Sequence, residues 1–190
     1  MKTNAWFQII FSLASLLVAS GVNAQSLLSE GARELEEFRL QQLSAVQSTS
    51  EISAFTTDGC SGNLSRGWEQ LASGFPKFKE KFGDRPPWEH CCVTHDRVYW
   101  QGEVVDGYSQ RRLADQALRQ CVIDTGVELA PELSVQFSRS EAQVRQAFVL
   151  VAKLIYRAVR FGGQPCSLLP WRWGYGWPRC ALSPRLDPVS

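Results

Sequence analysis

The chain has 190 residues, of which 20 are Lys or Arg and 19 are Asp or Glu, so its formal net charge at pH 7 is +1. This balance excludes a strongly basic protein, and nothing in it indicates a nucleic-acid partner. The length is sufficient for one domain with a hydrophobic core of its own. If the partner is a lipid, apolar contacts should therefore contribute more than bulk charge.

The first two dozen residues are typical of an export signal. Lys2 gives a positive start, an apolar run continues to about Val18, and Ala24 ends a small-residue pattern of the kind cut by signal peptidase. The alternative is a transmembrane anchor, but the run is shorter than the ~20 residues that a spanning helix needs. We therefore predict a signal peptide over residues 1–24 and a secreted or periplasmic protein, with a single domain over residues 25–190.

Six cysteines lie in the mature part of the chain, at Cys60, Cys91, Cys92, Cys121, Cys166 and Cys180. In an exported protein this number usually means three disulfides, whose pairing the count alone leaves open. A zinc site is the alternative, because Cys91, Cys92 and His95 are close in sequence. Zinc sites usually have a paired C-x-x-C or H-x-x-x-H spacing, which the chain lacks, so the sequence favours disulfides.

Four helices and no strand are predicted, which makes the fold class all-α. The predicted helices span about residues 29–47, 88–100, 109–125 and 138–160. Apolar residues recur at near-helical spacing in the first, and Gly102 is a plausible stop for the second. Ser109 is a good N-cap for the third, which should end before Gly126. The fourth should start near Ser138 or Ser140, each of which begins a possible capping box.

The second predicted helix concentrates residues that can carry chemistry. Residues four apart share a helix face, so Cys91, His95 and Tyr99 form one stripe and Cys92, Asp96 and Trp100 form the next. Adjacent cysteines on a helix point in different directions and should not bridge each other. They can instead fix the helix to two neighbours, so that His95 and Asp96 share one rigid cleft.

The pattern Cys-Cys-x-x-His-Asp-x-x-Tyr over residues 91–99 resembles the active-site helix of the secreted phospholipase A2 superfamily. Residues 57–60, Thr-Asp-Gly-Cys, look like its calcium loop, and most like the short bacterial and fungal version. Asp115, with Cys121 six residues further on, is similar to the second helix of that family. The resemblance covers about residues 56–121 and implies a disulfide-stapled helical domain with two antiparallel active-site helices.

The resemblance also implies how the cysteines pair. Animal members carry Cys in place of Val98 and of Ala114, and those two bridge each other; here both are missing together. The implied pairs are Cys60–Cys92 and Cys91–Cys121, which leaves Cys166–Cys180 to close the tail.

Residues 56–160 form the predicted core, and residues 161–190 form a predicted irregular tail rich in Trp, Gly and Pro. The rings of Trp171, Trp173 and Trp177 could lie at a membrane interface, where Trp is favoured. They could also pack on the helices. We expect packing, because a bridge across the tail would make it a rigid flap.

The function implied by the resemblance is calcium-dependent hydrolysis of the sn-2 ester of glycerophospholipids at a phospholipid membrane surface. His95 would be the catalytic base that activates a water molecule near neutral pH. Asp115 would accept the other ring N–H of His95 and so fix its tautomer. Tyr99, one turn after His95, would hydrogen-bond Asp115 and support it.

The implied cofactor is Ca²⁺, which prefers ~6–8 oxygen ligands from carboxylates, backbone carbonyls and water. Asp96 and Asp58 would supply carboxylates, and loop residues such as Gly59 and Ser61 would supply carbonyl oxygens. The alternative function is a non-catalytic lipid-binding or envelope-interaction protein on the same fold. Such a protein would keep the disulfides and the aromatic tail without needing His95.

Overall fold

The computed structural model describes residues 29–60, 69–70, 73–74, 79–80 and 83–180 of the chain. The predicted signal peptide and the predicted calcium ligand Ser61 lie outside these residues. Where the chain is described it is all-helical and contains no strand, which confirms the predicted all-α class. Internal contacts divide the chain into two compact units, Met1–Phe38 and Arg39–Ser190. The site residues considered below all belong to the second unit.

Four long helices account for most of the described residues. Helix α1 spans residues 29–47, α2 spans Glu89–Gln101, α3 spans Gly107–Phe137 and α4 spans Glu141–Gly162. The bounds of α1, α2 and α4 agree with the prediction to within a few residues. In the part of the chain that the structure describes, no helix is both long and apolar enough to cross a membrane.

Local signals set the end of α2 and the start of α4. Gly102 caps α2 in the left-handed conformation, with φ 62° and ψ 59°, and donates its N–H to the carbonyl of Val98. A Cβ atom there would clash with the backbone of Gly174, so only glycine fits. At α4, Ser140 and Gln143 form a reciprocal capping box, which decides between the two predicted starts.

The prediction that α3 ends at Thr125 is wrong, because the helix continues to Phe137 through Gly126 and Pro131. Gly126 is buried where α3 packs on α4, and a Cβ atom on it would clash with the ring of Phe148. The glycine therefore permits a close approach of two helices and does not stop the first one. The free energy gained by packing α3 on α4 outweighs the loss of the backbone hydrogen bond that Pro131 removes from the helix.

The prediction that Ser109 caps α3 is also wrong. The N-cap is Asp106, which lies in the left-handed region with φ 51° and makes no side-chain cap bond. Gly107 follows it and packs so closely on Leu40 that a Cβ atom would clash with that side chain. The close packing of Gly107, rather than a serine cap, sets where the helix begins.

Two hydrophobic clusters of buried residues lie in the described part of the second unit. The larger joins α2, α3 and α4 and includes Cys91, Cys92, Leu118, Val122, Phe148 and Ala152. The smaller is formed by Leu40, Leu43, Tyr99 and Trp173. Helix α2 contributes to both clusters, and His95 lies between its contributions to the two. The site is thus built on a helix that is packed at both ends.

The disulfides are Cys60–Cys92, Cys91–Cys121 and Cys166–Cys180, which confirms the pairing implied by the resemblance. Three disulfides indicate an oxidising compartment. His90 Nε2 lies 3.4 Å from Sγ of Cys91 and 3.6 Å from Sγ of Cys121. Because these two sulfurs are bonded to each other, they are not available as the thiolates that zinc binds.

Candidate active site

Helix α2 is fixed on two sides just before the candidate site. Cys91 bridges it to α3, and Cys92 bridges it to Cys60 in the non-helical segment of residues 51–60, called the loop below. His95 and Asp96 follow one turn later, and both side chains are buried. The two bridges therefore place these side chains between α3 and the loop, as the arrangement of adjacent cysteines predicted.

The three predicted catalytic residues lie together. His95 Nε2 is 2.8 Å from Oδ1 of Asp115, and the hydroxyl of Tyr99 donates to the same oxygen at 2.7 Å. Because a carboxylate accepts hydrogen bonds, Nε2 of His95 is the donor in this contact, and in the neutral imidazole this leaves Nδ1 as the nitrogen that can accept a proton. Burial, followed by the charge of Asp115, raises the pKa of Tyr99 well above its usual range. Tyr99 therefore remains a neutral donor.

Two arginines that the sequence analysis missed complete the surroundings of Asp115. Arg160 of α4 donates from Nη1 to Oδ2 of Asp115 at 2.9 Å, and Nη1 of Arg111 lies 3.7 Å from that oxygen. Arg111 is fully buried and also donates to the hydroxyl of Tyr99 at 3.3 Å. It reaches the carbonyl oxygens of Val159 and Arg160 as well, where the end of a helix favours a cation.

A largely apolar cavity of about 370 Å³ opens beside His95. It is lined by Cys60, Cys92, His95, Asp96, Leu118, Leu154, Ile155, Ala158, Val159 and Trp171. Only His95 and Asp96 among these residues are ionisable. The cavity can therefore take an apolar chain and present it next to a base and a carboxylate.

A second cavity, of about 280 Å³, adjoins the loop and is lined by Thr56, Thr57, Asp58, Asp96, Pro170, Trp171 and Tyr175. The hydroxyl of Thr57 donates to Oδ2 of Asp96 at 2.6 Å, and the N–H of Gly59 donates to that hydroxyl at 3.1 Å. Asp58 and Asp96, predicted as ligands from separate parts of the sequence, thus line one cavity. Asp96 and Trp171 line both cavities, so the two adjoin.

The donor set of the second cavity fits a hard cation. Two carboxylates, hydroxyl groups and nearby backbone carbonyls are the oxygen ligands that calcium prefers. The pKa of Tyr175 is raised above its usual range, first by burial and then by the negative charges of Asp96 and Asp58. Asp58 and Asp96 both line this one cavity, and the negative charges of two carboxylates would attract a cation.

Residues 166–180, closed by the third disulfide and called the C-terminal flap below, cap the end of α2. The N–H groups of Gly174 and Gly176 donate to the carbonyls of Tyr99 and Trp100 at 2.6 and 3.1 Å. The indole N–H of Trp177 donates to the carbonyl of Gln101 at 2.8 Å. These are carbonyls that the helix itself leaves unsatisfied at its C-terminus.

Comparisons with protein-family models, with curated proteins and with solved structures give no match. His95, which contacts the buried Asp115, lines an apolar cavity, and a carboxylate-lined cavity adjoins that one. Together these features suit general-base hydrolysis of an ester whose acyl chain is apolar.

Proposed function

We propose that the protein is a calcium-dependent hydrolase of the secreted phospholipase A2 superfamily that cleaves the sn-2 ester of glycerophospholipids. The proposal depends above all on the 2.8 Å contact between Asp115 and His95, the latter of which lines the apolar cavity. Helices α2 and α3 would be the two antiparallel active-site helices. Three contacts between the helices support this: Cys91 is bonded to Cys121, His95 contacts Asp115, and Tyr99 contacts Arg111. The residue numbers rise along α2 and fall along α3, as in an antiparallel pair.

In the proposed mechanism, His95 accepts a proton from water through Nδ1 while its Nε2–H remains bonded to Asp115. The water oxygen attacks the ester carbonyl carbon, and the bond from that carbon to the sn-2 oxygen then breaks. His95 returns its proton to the leaving sn-2 oxygen, so that a fatty acid and a lysophospholipid are released and the neutral imidazole is restored. Asp115 fixes the imidazole orientation and balances the positive charge that His95 gains. Tyr99 and Arg160 hold one oxygen each of Asp115, so the carboxylate cannot turn away from the ring.

The proposed cofactor is Ca²⁺, held by the carboxylates of Asp96 and Asp58 and by carbonyl oxygens of Gly59 and Ser61. When bound, the ion supplies positive charge for the ester oxygen on which negative charge develops. Thr57 orients Asp96 through its hydroxyl. Because Asp96 lines both cavities, it would hold the ion next to the cavity that takes the acyl chain.

A phospholipid membrane surface is the proposed partner. Leu154 lines the apolar cavity and is 65% exposed, and Phe161, two turns further along α4, is 88% exposed. The residue after Phe161, Gly162, packs against Trp171 and Leu169 of the flap. These exposed apolar side chains near the cavity favour a lipid surface over a soluble substrate.

The direct test is release of fatty acid from phosphatidylcholine–phosphatidylglycerol vesicles, with calcium and with a chelator in its place. We expect release only when calcium is present, and one fatty acid with one lysophospholipid for each lipid consumed. Binding to the vesicles without any release would support the non-catalytic alternative. Equal release with the chelator would contradict the role of the ion.

Asp96→Asn is expected to abolish the calcium-dependent rise in melting temperature. Asn can still accept the hydrogen bond from Thr57, so the change removes mainly the negative charge that a hard cation requires. For the wild type, calcium at about 100 times its dissociation constant should add roughly 2.7 kcal/mol of stability. Differential scanning calorimetry with and without calcium measures the rise.

Asp124→Asn is the matched control for this change, because Asp124 is exposed on α3 and accepts a local hydrogen bond from Gln120. The control should retain the full calcium-dependent rise. An Asp96→Asn protein that shows the same rise as the wild type would place the ion elsewhere.

A further inference from the structure

We propose that Tyr175 of the C-terminal flap is a positioning residue for the candidate cation site, so that the flap sets the affinity of that site. The flap lies outside the part of the chain that carries the family resemblance. The inference rests on the proposed function in one respect, namely that the ion is calcium. It concerns how the ligands are held and not the chemical step.

A short chain of hydrogen bonds joins Tyr175 to Asp96. The hydroxyl of Tyr175 donates to the carbonyl oxygen of Thr56 at 2.6 Å. The next residue, Thr57, donates its hydroxyl to Oδ2 of Asp96 at 2.6 Å and accepts the N–H of Gly59 at 3.1 Å. Tyr175 thus fixes the backbone immediately before the residue that orients Asp96. All of these residues except Gly59 line the same cavity.

Tyr175 is itself fixed relative to α2. Its neighbours Gly174 and Gly176 donate their N–H groups to the last carbonyls of that helix. Ser53, at the start of the loop, donates both its N–H and its hydroxyl to the carbonyl of Gly176, at 2.8 and 2.9 Å. The flap is therefore bonded to the end of α2 and also to the loop, and the loop is bonded in turn to Asp96 of α2.

These contacts should raise the affinity of the site for a cation, because they hold the loop in place before the ion binds. Loop backbone that must be ordered when a ligand binds reduces the affinity, because its conformational entropy is lost at that moment. A loop that is already held in place avoids that loss. A flap that only covers the hydrophobic core would instead affect melting temperature and leave calcium affinity unchanged.

The experiment compares full-length wild type with Tyr175→Phe by titration calorimetry with calcium chloride. Removing one neutral hydrogen bond should weaken calcium binding roughly three- to tenfold, while the ring and its packing remain. Tyr156→Phe is the matched control, since Tyr156 is a half-buried tyrosine of α4 that does not line either cavity. The control should bind calcium as the wild type does.

Thr57→Val removes the next bond of the same chain and provides an independent check. It should also weaken binding, and the double variant should lose less affinity than the two single losses combined, because the two bonds act in series. Unchanged calcium affinity in folded Tyr175→Phe would overturn the inference while leaving the proposed function in place. A wild type that takes up no calcium would overturn the proposed function and this inference with it.

Discussion

Replacing His95 with Gln is expected to leave the protein folded and to reduce ester hydrolysis by at least ~10²–10⁴-fold, the usual contribution of a positioned general base. Gln can still donate a hydrogen bond towards Asp115, so the buried carboxylate keeps a partner at that position. What the change removes is the nitrogen lone pair that accepts the proton of water. Initial rates of fatty acid release from vesicles measure the effect, and circular dichroism checks the fold.

The chain offers a matched control for this variant, because it contains only two histidines. His90 lies on the same helix, is exposed, and has its Nε2 near the sulfurs of the Cys91–Cys121 bridge. His90→Gln should therefore retain close to the wild-type rate. A folded His95→Gln protein with similar turnover would contradict the mechanism, whatever the behaviour of the control.

The part of the site that could be predicted from the sequence is local or follows from the family resemblance. His95 and Tyr99 are four residues apart on one helix, so helical geometry alone places them on the same face. The disulfide pairing came from the resemblance and brought the loop and α3 to that helix. Asp58 and Asp115 then follow as residues close to Asp96 and His95.

Other contacts could not be predicted because they join distant parts of the chain. Arg160 is 45 residues from Asp115 and meets it only because α4 packs beside α3. Arg111 is four residues before Asp115, and that i, i+4 spacing was a usable signal. The wrong end predicted for α3 has a physical reason, because a glycine in a helical pattern, such as Gly126, can mark either a stop or a close contact between helices. Only the position of Phe148 decides between them.

The C-terminal flap was the hardest part to predict, since its structure has no repeating pattern. It is held by separate hydrogen bonds from backbone and indole N–H groups to individual carbonyl oxygens at the end of α2, and no sequence pattern marks these donors. The composition of the flap is compatible with packing on the helices or with a membrane interface, but it does not indicate which Trp ring is buried and which lines a cavity. Trp173 is buried in the smaller hydrophobic cluster, whereas Trp171 is half-buried and lines both cavities.

Trp173→Ala is expected to destabilise the protein by ~3–5 kcal/mol, the usual cost of truncating a buried Trp. The ring is fully buried and lies edge-to-face with Tyr99, with centroids 5.0 Å apart. Its indole N–H donates to the carbonyl of Glu103 at 2.9 Å. Because a domain is typically stable by only ~5–15 kcal/mol, the loss should lower the melting temperature strongly or prevent folding.

Denaturant unfolding of wild type, Trp173→Ala and Trp171→Ala gives the free energies of unfolding that decide between packing and lipid insertion. Trp171→Ala should cost less, because that ring is half-buried against cavities and does not belong to the buried cluster. If Trp173 served membrane insertion instead, its loss would weaken vesicle binding and leave the free energy of unfolding unchanged. That result would mean that the ring is not packed against Tyr99 in solution, since a buried Trp cannot be truncated without a loss of stability.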